Sequence, residues 1–107
     1  MFARILEFGP LMEKKDEFIR VVKKDILPIL KKQDGFLEIL PLVPEGKNEK
    51  LLAVTLWADK KDLERDEKEW YPKVEQILKP YLTNNSVRKI YTLETTLCER
   101  LQATLTA

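Results

Sequence analysis

The sequence predicts an α+β fold: one antiparallel sheet of four strands with two helices on one face. Three observations carry this. Apolar β-type runs and stretches of helical period alternate in the order strand, helix, strand, strand, helix, strand. Turn formers separate them at Gly9-Pro10, Asp34-Gly35, 44–48 and Asn84-Asn85-Ser86. A length of 107 residues with 44% hydrophobic content supports a single domain, 1–107, with a real core.

The first apolar segment, Phe2 to Phe8, reads as a strand ended by Gly9-Pro10. From Met12 to Gln33, Phe18, Val22, Ile26 and Ile29/Leu30 recur at helical steps, with lysines on the other face. Pro28 removes a hydrogen bond inside this helix, which predicts a bend near Asp25 or a restart. Asp34-Gly35 supplies the stop. Phe36 to Val43 follows as a strand whose alternating sets, Phe36/Glu38/Leu40/Leu42 and Leu37/Ile39/Pro41/Val43, are both mainly apolar. Pro41 cannot donate to a ladder, so an edge or a bulge is expected there.

The third strand, Leu51 to Ala58, also has two apolar sets and pairs with the second through a short loop as a hairpin. Asp59 is expected as a helix N-cap, with Asp62 at the capping-box spacing. After a charged stretch to Glu69, a second amphipathic helix is predicted over Trp70 to Leu82, with Trp70, Val74, Ile77/Leu78 and Tyr81 on one side. Pro72 is tolerable in its first turn. Val87 to Leu97, rich in β-branched and aromatic residues, makes the last strand, and 98–107 forms a tail. This order is the split βαβ arrangement of the ferredoxin-like fold.

Two helices cover one face of such a sheet. The other is expected to carry apolar residues of strands two and three, with Leu6 or Phe8 from strand one. A monomer rarely exposes an apolar patch beyond a few hundred Å². A two-fold mate sealing ~800 Å² per partner would gain tens of kcal/mol at ~25 cal/mol/Å² before association costs. A homodimer is therefore the expected partner state, with cover by the tail as the other reading.

Composition excludes several classes. Nineteen basic and 18 acidic residues nearly cancel to +1, which argues against a nucleic-acid partner. The last strand also lacks the basic-aromatic stacking pattern of an RNA-recognition module. No apolar run approaches the ~20 residues of a membrane span, so no membrane partner is expected. With no histidine, Ser-His and Cys-His triads, zinc fingers and histidine-ligated haem are ruled out. A lone Cys98 fits a reduced thiol and a cytoplasmic location.

Trp57 ending strand three, the charged helix Lys60 to Lys68, the pair Trp70-Tyr71 and the closing segment Ser86 to Glu94 resemble the antibiotic-biosynthesis-monooxygenase (ABM) domains, over roughly residues 2 to 97. The resemblance implies a dimeric α+β barrel with a pocket between sheet and helices. It also implies cofactor-independent oxygenation of a planar aromatic or quinone-like molecule, or a non-catalytic binding module on the same scaffold. No cofactor and no metal site is expected. The haem-degrading branch is similar in layout, but its Asn, second Trp and His fall near Ile5, at Asp66 and near Glu75 or Gln76, and none matches. Histidines that many ABM domains carry near Asp66 and Trp70-Tyr71 are also missing, which removes a His-based acid/base role.

The substrate-pocket candidates are Trp57, Trp70, Tyr71, Arg88 and Tyr91, and no catalytic residue is assigned. Arg88 would stabilise an anionic oxygen and Tyr71 or Tyr91 would hydrogen-bond it. Each has a plainer reading: Arg88 as a solvated charge, the aromatics as packing. Glu38, in an apolar strand, is expected to pair across the dimer with Arg4 or Lys89, to lie at a rim, or to sit in a pocket with a raised pKa.

Overall fold

The computed structural model describes residues 1–9, 12–46, 49–83 and 87–94. Pro10, Lys47 and Asn48, the Asn84-Asn85-Ser86 break, Thr95 to Leu97 of the expected last strand, and Cys98 with the tail lie outside the described residues. Strands β1 (Phe2–Phe8), β2 (Phe36–Leu42), β3 (Leu51–Trp57) and β4 (Val87–Thr92) form one sheet in the order β2-β3-β1-β4. Every neighbouring pair is antiparallel. With two helices between the strands, this is the α+β ferredoxin-like arrangement that the element order predicts.

The first helix, residues 12–31, runs from a 3-10 turn (Met12–Lys14) through α-helix Lys15–Val21 and a π turn (Val22–Ile26) to α-helix Leu27–Lys31. Pro28 accounts for the interruption. Lacking an N–H, it cannot continue the regular ladder, and the wider turn just before it absorbs the mismatch. The second helix, residues 60–81, repeats the device: α-helix Lys60–Arg65, π turn Asp66–Trp70, α-helix Tyr71–Leu78 with Pro72 near its start, then a 3-10 turn (Lys79–Tyr81). It joins the charged helix expected from Lys60 and the helix expected from Trp70 into one element. Its buried face is Leu63, Asp66, Tyr71, Val74 and Leu78, so Val74 and Leu78 of the expected set are buried while Trp70 and Tyr81 are half-buried.

Asp59 holds the N-cap position with extended backbone but gives no side-chain cap bond. Asp62, expected to complete the box, is buried and lies 3.4 Å from Arg65. Gly35 explains the turn before β2. Its φ is +81°, and a Cβ there would collide with the Asp62 carboxylate, so only glycine fits.

Arg4, Leu6 and Phe8 of β1 register with Thr55, Ala53 and Leu51 of β3 and face the helices. This corrects the expectation that Leu6 or Phe8 lies on the open face; Ala3, Ile5 and Glu7 lie there instead. In β2 the phase changes at a register shift between Phe36 and Glu38. Phe36 therefore packs edge-on against Trp57, with ring centroids 5.5 Å apart, while Leu40 and Leu42 face outward. The edge position fits Pro41, but the irregularity sits earlier, beside Leu37. The core joins the inward strand residues to Phe18, Ile26 and Leu30 of the first helix and Leu63, Tyr71, Val74 and Leu78 of the second.

Candidate functional site

Arg4 occupies an inward position of a strand otherwise filled by Leu6 and Phe8, and it is only 1% exposed. A buried guanidinium needs compensating charge. The second π turn supplies it: Nη1 of Arg4 donates to Asp66 Oδ2 at 2.5 Å and to Glu67 Oε1 at 3.0 Å. Consecutive residues of a regular α-helix do not share a direction. The wider turn lets these two neighbours reach one nitrogen. Arg88 of β4 closes the network from the rim, donating from Nη1 to Glu67 Oε2 at 2.6 Å. Both guanidiniums lie over the Tyr71 ring, Arg88 at 4.5 Å and Arg4 at 5.2 Å from its centroid.

Trp57 stands beside them, with Arg4 at 5.6 Å from its ring. Its indole N–H donates to Thr55 Oγ1 at 3.0 Å. Two atoms of this network, Arg4 Nε and Asp66 Oδ1, are buried without a hydrogen-bond partner. The charges cancel pairwise, two arginines against two carboxylates.

Open space lies on the other side, where the first helix leaves the edge strand β2. A groove of about 530 Å³ is walled by Val22, Lys23, Leu27 and Lys31 on the helix and by residues from Phe36 to Ile39 plus Pro41 on the strand. That volume suits a small-molecule site. Glu38 sits at this groove, half-buried, with Oε1 accepting the Ile39 backbone N–H at 2.9 Å. Pairing of Glu38 with Arg4 is thereby corrected, since Arg4 is buried on the other face and held by Asp66. Val22 and Ile39 also border an interior cavity of about 30 Å³, which extends between sheet and helices to Arg4, Thr55 and Tyr71.

Of the five pocket candidates, Tyr71 borders the cavity, Trp57 is fully buried beside Arg4, and Arg88 braces Glu67. Trp70 is half-buried, with the Lys73 ammonium 4.7 Å from its ring. Tyr91 registers with Ala3 and is exposed on the opposite face. Sequence reasoning missed Arg4, Asp66 and Glu67 as a unit. The usable signal was charge in a buried phase: Arg4 in step with Leu6 and Phe8, and Asp66 in step with Leu63. Among the described residues, no group of three or more His, Cys, Asp or Glu could hold a metal ion, and no helix is long and apolar enough to cross a membrane.

No family model matches the chain, and no curated protein does. Solved structures do. A variant of SnoaB, a cofactor-independent oxygenase from Streptomyces nogalater, is 20% identical and superposes with a TM-score of 0.73, over 90% of this chain and 95% of that one. The monooxygenase ActVA-Orf6 of Streptomyces coelicolor, solved with nanaomycin D, also reaches 0.73 at 10% identity, over 90% and 89% of the chains. A further antibiotic biosynthesis monooxygenase gives 0.69 at 10% identity, over 88% and 99%. This chain has the fold of the antibiotic biosynthesis monooxygenases.

Proposed function

We propose that this is a cytoplasmic homodimeric protein that binds a planar aromatic or quinone-like molecule and oxygenates it without a cofactor. The observation that carries the reading is the groove of about 530 Å³ between the first helix and β2, which has an apolar floor and ionisable groups at its rim. Its similarity to proteins described as a cofactor-independent oxygenase and as a monooxygenase holding nanaomycin D supports the same reading. An acidic CH₂ beside a phenol or carbonyl loses a proton to Glu38, and Lys23 and Lys31 hold the resulting anionic oxygen. The carbanion passes one electron to dioxygen, the radical pair closes to a peroxide anion, and that anion takes the proton back from Glu38 to become a hydroperoxide. Loss of water leaves C=O, with one oxygen atom in the product and the other in the water. Trp57, through Phe36, and Tyr71, through the cavity, back the groove, while Arg88 lies at the far edge of the sheet on Glu67.

Oxygen uptake with a tricyclic hydroquinone or anthrone-type substrate tests this. Uptake of one O₂ per product, with a single labelled atom incorporated from ¹⁸O₂, is expected. Glu38→Gln should lower kcat by about 10²–10⁴-fold. Saturable binding with no oxygen uptake would instead favour a non-catalytic binding module. One observation leans that way: Trp57 and Tyr71 are buried in the core between sheet and helices rather than lining open volume of ring size.

The dimer is supported by the sheet face away from the helices, where Leu40, Leu42, Val87 and Tyr91 are exposed. Leu40→Asp is expected to sediment at the monomer mass, while Leu37→Asp, at the bulge beside the groove, keeps the dimer. An unchanged dimer mass for Leu40→Asp would refute this assignment of the interface.

A further inference from the structure

We propose that the interior cavity behind Val22 and Ile39 is a binding site for dioxygen. The inference rests on the oxygenase reading and says where the second reactant waits. Its size is the first argument. At about 30 Å³ the cavity exceeds the ~10–15 Å³ that one water-sized probe needs. It admits a diatomic molecule but no ring.

Its lining is the second. Leu6, Phe8, Ile26, Leu30, Val74 and Leu78 supply most of the wall, and the accessible inner surface is apolar. A water there would lack hydrogen-bond partners, whereas apolar cavities stay dry and take up apolar gases. Dioxygen is such a solute, and its transfer out of water is favourable.

Position is the third. Val22 and Ile39 separate the cavity from the groove, and both residues border the two spaces. An electron leaving a groove-bound carbanion therefore has a short path to a gas molecule in the cavity. The superoxide so formed is poorly solvated in an apolar cavity, which drives it back toward the substrate radical and the Lys23 and Lys31 ammonium groups of the groove. Recombination with the substrate radical gives a peroxide anion, which takes the proton back from Glu38.

Dissolved oxygen is paramagnetic, so the gas itself is the probe. Methyl proton relaxation is measured on the unmodified protein without oxygen and under raised oxygen pressure. Methyls of Leu6, Ile26, Leu30, Val74 and Leu78 are expected to relax faster than those of exposed Leu42 and Val43. Enhancement that simply follows exposure would overturn the site. Ala53, which borders the cavity, offers a second reading. Ala53→Val should abolish the local enhancement and raise the KM for oxygen several-fold at unchanged kcat. Localised gas with an unaltered KM would overturn its role as the reactant's site. Should no substrate consume oxygen, the oxygenase reading falls while the relaxation map of the unmodified protein still decides whether the cavity binds gas.

Discussion

Replacing Arg4 with methionine is expected to destabilise the protein by ~3–5 kcal/mol. The substitution leaves the Asp66 carboxylate, 1% exposed, in the core with no cation beside it. Glu67 retains Arg88 and fares better. An isolated domain of this size has ~5–15 kcal/mol in total, so the variant stands near the edge of stability. The double variant Arg4→Met with Asp66→Leu should recover most of the loss, because an ion pair replaced by apolar groups of similar volume is often neutral. Denaturant midpoints at unchanged slope read both results. A loss under about 1 kcal/mol for the single variant would mean that the carboxylate finds water or another partner.

Trp57→Ala should cost a similar ~3–5 kcal/mol. The side chain is fully buried, contacts the Phe36 ring edge-on and satisfies its indole N–H on Thr55. Removing it opens a void between β3 and the helices that backbone relaxation cannot fill. Trp57→Phe keeps most of the apolar contact and gives up the hydrogen bond, so about 0.5–1.5 kcal/mol is expected beyond the smaller void. Thermal unfolding in parallel with the denaturant series separates the two. Near-equal losses for Ala and Phe would show that the hydrogen bond to Thr55, rather than packing, holds this corner.

Neither residue's role could be read equally well beforehand. Trp57 lies in a strand whose set Leu51, Ala53, Thr55, Trp57 is regular, so its burial with that set was legible, although the other set is apolar too. Arg4 also lies in a regular set, but its partner is 62 residues away on a stretch that reads as a solvated charged face. The same stretch reads as a charged helix separate from the one expected at Trp70, and the structure runs the two together. Eleven residues from Asp59 to Glu69 carry few apolar side chains, so helical period has little to register there. Leu63 and Asp66 are the buried positions, and one of them is an acid.

What the chain determines by itself is local. Element order, the hairpin between β2 and β3, the edge position marked by Pro41, the glycine stop at Gly35 and the interruption ahead of Pro28 follow from side-chain period and backbone chemistry within a few residues. Only the assembled fold decided which phase of β1 meets the helices, where β2 changes phase, and which buried charges meet. It also decided that the open volume lies beside Glu38 rather than around Arg88. These outcomes depend on contacts between segments remote in sequence. A period of two or 3.6 residues says that a side has one character without saying what that side will touch.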